Sequence, residues 1–279
     1  MKIVILIVLY KQKIIDSRSY QSLQKILNEE SLLWSNYELV FWDNSPAEVN
    51  QKYIEKIKKN MQIHGLLMKY INTPQNIALS EIYNTTLDIY EKTANYLCIF
   101  DQDSIFGSDY LHAFNKAIKS CEYDILLPLV KFKEKFVSPT KIYYLKGFYF
   151  DSPPNGAISI RNLSAINSGM IISLKFTLKH HYRYNNKIRN YCTDDNIMMF
   201  MRKNNAKVFI LDYIMEHDLS FCTLNDNSDS LRYRYIEMLK AKKILYSRNI
   251  FERMLVGIYF TIHKIYMAIK YKEIKYFKG

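Results

Sequence analysis

Two carboxylates one residue apart, in Asp101-Gln102-Asp103-Ser104, follow directly on the apolar run Tyr96-Leu97-Cys98-Ile99-Phe100. A short apolar run without helical periodicity reads as a buried strand. Ligands of open α/β sheets collect outside the carboxyl ends of such strands. Where the chain leaves the sheet, both aspartates can turn toward one point. Hard divalent cations take carboxylate oxygens, and Mg²⁺ uses one or two of them together with substrate phosphates. The chemistry predicted is a metal-held diphosphate. A purely structural reading also exists, because Asp and Ser form turns in their own right.

Two more polar groups stand at comparable places. Asp43-Asn44-Ser45 follows Leu39-Val40-Phe41-Trp42, and Asp194-Asp195 opens a helical stretch. The first is also a good strand-to-helix turn, and carboxylates at a helix start favour its dipole and cap its N–H groups whatever else they do. Neither a Walker A sequence nor G-x-G-x-x-G occurs, so P-loop and dinucleotide chemistry find no support.

The elements that must position these groups alternate. Residues 3–10 form a continuous apolar strand of the kind buried on both faces of a parallel sheet. Ser17 or Ser19 starts a helix with Tyr20, Leu23 and Leu27 on one face. Strand 39–42 leads into Ser45-Pro46-Ala47-Glu48, a capping box that predicts a helix to about residue 59. Strand 66–71, helix 79–90, strand 96–100 and a helix capped by Ser108 continue the pattern, which means βαβ units. After strand 125–130 the stretch 131–162 is irregular and suits a loop or small hairpins over a cleft. A strand at 165–173, a helix at 195–203 and a short closing strand at 208–211 follow. Right-handed crossovers bring the polar strand ends to one edge.

The 279 residues suit one large domain with an appendage. Of the net charge of +12, residues 240–279 carry ten Lys or Arg against two Glu, a net of +8. The body is therefore only mildly basic, and the tail is a basic, aromatic-rich block that attracts phosphates of lipid or nucleic acid. Its Tyr and Phe fall at helical core spacing rather than as a stacking platform, which argues against specific nucleic-acid binding. Cys98, Cys121, Cys192 and Cys222 are scattered, as in a reduced, cytoplasmic protein. The apolar start is short, ends at Lys11-Gln12-Lys13 without a small-residue cleavage site, and reads as a strand rather than a signal peptide. In 254–262, Met-Leu-Val-Gly-Ile-Tyr-Phe-Thr-Ile, the tail is apolar and uncharged yet too short to span a bilayer. With its flanking Lys, Arg and Tyr it predicts a helix lying on an anionic membrane surface, at the inner face of the cytoplasmic membrane, or else packed on the body or on a second subunit.

In order and spacing, the chain resembles the family-2 glycosyltransferases of the GT-A fold, particularly bacterial rhamnosyltransferase-like members. The resemblance covers about residues 3–250. It rests on Ile7-Val8-Leu9-Tyr10, Trp42-Asp43-Asn44-Ser45, Asn76 and Asn84, Asp101-Gln102-Asp103-Ser104, Asn167-Ser168-Gly169, Asp194-Asp195, Glu216-His217 and Tyr246-Ser247-Arg248-Asn249. It implies an α/β fold of GT-A type, a single Rossmann-like, mostly parallel sheet flanked by helices. Residues 1–225 would be the glycosyltransferase domain and 226–279 a helical C-terminal extension.

By the same resemblance Asp43 contacts the nucleotide base, with Tyr10, Asn76 and Asn84 lining that pocket. Asp101 lies near ribose or metal, Asp103 ligates Mg²⁺ or Mn²⁺, and His217 completes the metal shell. Ser168 and Gly169 form the floor under the sugar, and one of Asp194 and Asp195 is the general base. Asp195 is favoured, since Asp194 is better placed to cap the helix. Ala78 and Thr86 stand where the family has glycines, which narrows the expected pocket.

The implied reaction is inverting transfer from a nucleoside-diphosphate sugar, dTDP-L-rhamnose or a UDP-hexose. The acceptor is a lipid-linked glycan of cell-surface polysaccharide synthesis, and a homodimer is among the partners considered. A non-catalytic glycan-binding relative is the competing expectation, and four retained carboxylates weigh against it.

Overall fold

The computed structural model describes residues 1–29, 32–46, 50–216, 228–272 and 276. The first half builds β1 (Ile3–Leu9), α1 (Arg18–Ile26), β2 (Tyr37–Asp43), α2 (Gln51–Ile63), β3 (Leu67–Asn72), α3 (Leu79–Tyr90), β4 (Tyr96–Asp101) and α4 (Ser108–Ser120). The second half adds β5 (Ile125–Phe132), β6 (Lys135–Ser138), β7 (Thr140–Tyr143), β8 (Lys146–Phe148), β9 (Gly156–Ile158), β10 (Leu163–Ser164) and β11 (Met170–Ser173). These are followed by α5 (Leu174–Lys179), α6 (Thr193–Lys203), β12 (Val208–Glu216), α7 (Ser228–Leu245) and α8 (Ile250–Tyr271).

The nine-stranded sheet runs β3-β2-β1-β4-β11-β5-β12-β9, with β6 on β5. Strands β1 to β4 are mutually parallel, and β12 is parallel to β5. Only β11, β6 and β9 run the other way. β1 alternates between two cores. Ile3, Ile5, Ile7 and Leu9 pack among residues of α1, α2 and α4, whereas Val4 and Leu6 pack among residues of α3, α5 and α6. A strand sandwiched this way must be apolar at every position, which is why it shows no period.

Register then sets the working edge. Leu9 pairs with Asp43, Val8 with Asp101, and Asp43 with Asn72, so these strand ends lie side by side. Because β11 is antiparallel to β4, with Met170 opposite Ile99, it begins where β4 ends. That reversal delivers residues 167–169 to the same edge.

Several local expectations shift. The capping box does not start α2. Its N-cap is Asn50, whose side chain accepts the Lys52 N–H at 2.9 Å, while Ser45 accepts the Lys11 N–H at 2.7 Å. Gly107 rather than Ser108 caps α4. The strand expected at 165–173 shortens to β11, and that expected at 208–211 extends to Glu216 through a register shift between Ile210 and Ile214. Within the irregular stretch, β7, β8 and β10 form a separate three-stranded sheet.

A third apolar cluster joins Ile188 and Cys192 to Tyr235, Leu239, Leu245 and Tyr246 of the C-terminal region and to Val256 and Phe260 of α8. The tail's tyrosines thus serve packing in part. Among the described residues no helix is long and apolar enough to cross a membrane.

Candidate active site

At the end of β2 the Asp43 carboxylate is buried and already engaged. It accepts the Ser45 N–H at 2.9 Å and the Tyr70 hydroxyl at 2.6 Å. Burial and this contact with the Asp43 carboxylate push the Tyr70 phenol up, so it stays a donor. Both residues line a cavity of 740 Å³ with Lys11, Lys13, Ile14 and Tyr53. That volume suits a nucleoside-sized ligand.

Asn44 is the organiser behind it. Its amide donates to Asn76 Oδ1 at 3.0 Å and to the Ile77 carbonyl at 2.9 Å, and accepts from Thr73 Oγ1 at 2.8 Å and the Ile77 N–H at 3.0 Å. Asn76, itself at φ 50°, therefore spends its side-chain oxygen on the turn. Asn84 is likewise committed, bonding the Tyr184 carbonyl at 3.0 Å, the Tyr184 N–H at 2.7 Å and Asn186 Oδ1 at 2.8 Å. Of the four residues expected in the nucleotide pocket, Asp43 lines the cavity. Tyr10 is exposed and directly precedes Lys11, which lines the cavity, and Asn76 and Asn84 brace the surrounding loops. Ala78 has φ −65°, so no glycine is needed there.

The turn after β4 is held by backbone groups and by the side chains of Ser104, Ser19 and Gln102. Ser104 donates its N–H to the Asp101 carbonyl at 3.1 Å, and its hydroxyl accepts the Asp101 N–H at 3.1 Å. Ser19 donates its hydroxyl to the Asp101 carbonyl, and Gln102 accepts the Tyr10 N–H at 2.7 Å. Asp101 and Asp103 are half-buried. Among the described residues no three His, Cys, Asp or Glu converge as a metal cage. A two-carboxylate donor set fits Mg²⁺ or Mn²⁺ whose other positions come from phosphate and water. His217 lies outside the described residues.

Ser168 meets Ser104, hydroxyl to hydroxyl, at 2.5 Å, and the Gly169 N–H reaches the Ile99 carbonyl at 2.8 Å. Gly169 has φ 76°, and a Cβ there would stand 2.8 Å from Pro128 Cγ and 3.1 Å from Met215 Cε. The close approach this glycine permits is to its own protein, not only to a ligand. Gly169→Ala is expected to cost about 1–3 kcal/mol through overpacking, plus about 1–2 kcal/mol for the left-handed backbone. Urea unfolding would measure it, and an unchanged midpoint would refute the packing role.

The α6 carboxylates divide differently from expectation. Asp194 Oδ1 accepts the Asp195 N–H at 2.8 Å, a cap-like bond, but the residue remains partly open to solvent. Burial first, then the charge of Asp195 and, more weakly, that of Asp101, push the Asp194 carboxyl up to about 7 against the pull of Lys242. Asp195 does not project freely into the cleft. It is buried, with Oδ2 at 3.4 Å from Lys242 Nζ of α7. The cause is the third apolar cluster, which lays α7 against the start of α6.

Tyr83 of α3 is buried within electrostatic reach of Asp101 and Asp194. Its buried hydroxyl has no hydrogen-bond partner among the described residues, and its pKa is raised by burial and then by the charges of Asp101 and Asp194. Asn167 Nδ2 donates to Thr193 Oγ1 at 2.8 Å, tying the floor to α6. Tyr70, Tyr83 and Lys242 were not distinguishable in the sequence, where each is one of many Tyr or Lys. Their roles depend on which strand or helix end faces the cleft.

No protein-family profile matches the sequence. No curated protein sequence is significantly similar to it. Solved structures are. S. aureus TarS 1–349 in complex with UDP-GlcNAc superposes with a TM-score of 0.55 at 13% identity, covering 92% of this chain and 69% of that one. TarS 1–349 in complex with UDP gives 0.56 at 13% identity, covering 89% and 73%. GalNAc-T7 with UDP, GalNAc and Mn²⁺ gives 0.51 at 10% identity, covering 77% and 43%. The mixed sheet, its flanking helices and these superpositions establish that the chain has the GT-A glycosyltransferase fold.

Proposed function

We propose that this protein is an inverting glycosyltransferase moving a sugar from a nucleoside-diphosphate donor to a hydroxyl of a lipid-linked glycan. The observation that carries the reading is the approach of one carboxylate from each acidic pair. Asp101 of the β4 turn and Asp194 of α6 lie within electrostatic reach of each other, on the sheet edge that also holds the Asp43 cavity.

In this reading the base occupies the cavity beside Asp43 and Tyr70. The diphosphate lies over Asp101 and Asp103, and the sugar stands above Ser168 and Gly169. Bound Mg²⁺ or Mn²⁺ supplies charge neutralisation to the departing diphosphate. The acceptor oxygen attacks the anomeric carbon from the face opposite the diphosphate. A C–O bond forms as the anomeric carbon–phosphate oxygen bond breaks, and the acceptor proton passes to a carboxylate of α6. One displacement with one base inverts the anomeric centre.

Asp194 fits that base better than Asp195. Its pKa is drawn toward neutrality, where a base is most useful, whereas Asp195 is paired with Lys242. Since the TarS and GalNAc-T7 structures contain UDP, a UDP-hexose is the first donor to try and dTDP-L-rhamnose the second.

A panel of nucleotide sugars with purified protein tests the reading. A true donor at a hundredfold excess over its Kd adds about 2.7 kcal/mol of stability and is consumed when acceptor is supplied. Stabilisation by no nucleotide or nucleotide sugar would overturn the proposal. Asp43→Asn is expected to weaken nucleotide affinity by about tenfold to a hundredfold, the worth of a hydrogen bond to a charged group. Unchanged affinity by calorimetry would remove Asp43 from the pocket.

A further inference from the structure

α8 has two apolar faces, and the protein covers only one. Val256 and Phe260 are buried in the third cluster. On the opposite side Phe251, Leu255, Ile258, Ile262, Ile265 and Ile269 are exposed, Phe251 at 74% and Ile269 at 73%. The charged residues within α8 are Glu252, Arg253, Lys264 and Lys270. At about 100° per residue, those exposed side chains fall within an arc of about 80°, and all four charged residues lie outside it. The result is a charge-free outward strip about 27 Å long at 1.5 Å per residue. Six large apolar side chains exposed in one contiguous strip form the kind of patch that marks an interaction site.

The rims of the strip name its occupant. Lys270 stands beyond one margin together with Glu252, whereas Arg253 and Lys264 lie further round toward the buried Phe260; Arg248 precedes the helix and Lys272 is its C-cap. Tyr259 and Tyr266, 37% and 54% exposed, stand at one margin of the strip, where amphipathic rings suit a wet–dry boundary. A second copy of the chain seated on this face would bring two sets of cations together. Anionic headgroups would neutralise them. Spanning is excluded for α8, since its inner face packs on the protein.

We propose that the outward face of α8 docks on an anionic lipid bilayer, lying in the headgroup region with its cations among the lipid phosphates. This docking stands on α8 alone and holds whatever sugar or acceptor the active site takes.

The test is co-sedimentation of the full chain with vesicles of neutral phosphatidylcholine, or of the same lipid with about 30 mol % phosphatidylserine. Salt is set at about 0.05 and 0.5 M. Wild type is expected to pellet with the anionic vesicles and to be released by salt. Ile258→Glu/Ile262→Glu is expected to partition at least tenfold less with unchanged circular dichroism and donor-induced stabilisation. Both positions are exposed, so folding does not depend on them. Equal partition of the two proteins, or binding indifferent to lipid charge and salt, would overturn the proposal. So would failure to pellet combined with a concentration-dependent dimer that the double variant abolishes, which would assign the face to a second copy.

Discussion

Asp103→Asn is expected to reduce glycosyl transfer to less than about 1% of wild type and to abolish metal-dependent nucleotide binding, while thermal unfolding stays within about ±0.5 kcal/mol of wild type. The structure separates the two effects. The turn after β4 is held by the Ser104 hydroxyl, Gln102, Ser19 and backbone groups, and the Asp103 carboxylate takes no part in those hydrogen bonds. Asn keeps the shape and removes the charge, so a hard cation loses its preferred oxygen donor. Wild-type turnover in Asp103→Asn, with Mg²⁺ or Mn²⁺ supplied, would dismiss the β4 turn as a metal–diphosphate site. Lost turnover together with lost folding would reassign Asp103 to structure.

The α6 pair should come apart in a complementary way. Asp194→Asn is expected to lower turnover by at least about 10², the usual worth of a general base, with donor binding retained. In wild type, turnover is expected to rise with pH through about 7, because Asp194 accepts a proton only when ionised and its pKa is raised to that region by burial and by Asp195. The same shift has the opposite consequence for stability. A carboxyl whose folded pKa lies above its unfolded value holds its proton more tightly when folded, so stability falls as pH rises from about 4 to 7. Asp194→Asn is therefore expected to be at least as stable as wild type at pH 8 while nearly inactive.

Asp195→Asn should behave differently. It strands Lys242 in a largely apolar cluster, and breaking a buried pair costs about 3–5 kcal/mol, less where solvent reaches both partners, as here. Lower stability with substantial residual turnover is the expected result, read by urea unfolding beside initial rates. A dead but fully stable Asp195→Asn beside an active Asp194→Asn would return the base role to Asp195.

Much of the fold was written in local patterns. β1 is apolar throughout, as are β4 up to its closing Asp101 and β2 apart from Glu38 and its closing Asp43, because both faces of a parallel sheet are covered. A continuous apolar run followed by Asp or Asn is how such a strand ends. Ser17 is the N-cap of α1, accepting the Tyr20 N–H at 3.3 Å, from a side chain whose preference is local. For the same reason Asp43, Asp101 and Asp103 could be named as strand-end carboxylates from the sequence, since a parallel sheet puts successive strand ends on one edge.

What depended on distant partners was not legible. Ser45 carries every local mark of an N-cap, yet its hydroxyl is taken by the Lys11 N–H 34 residues away. Asn84 bonds Tyr184 and Asn186, about 100 positions on, partners that no local pattern names. β11 runs antiparallel, a direction that four apolar residues do not encode, and this alone sets Ser168 against Ser104 and Gly169 against Pro128 and Met215. The choice between Asp194 and Asp195 turned on Lys242, one of many lysines in a basic tail, singled out because α7 packs on α6. The apolar stretch of α8 was visible as composition. Only packing decided that Val256 and Phe260 face inward and that a strip without charge faces out. Propensity, capping and burial on a sheet act over a few residues and are carried by the chain itself. Charge pairing, pKa and the assignment of faces belong to residues that meet only when the fold is complete.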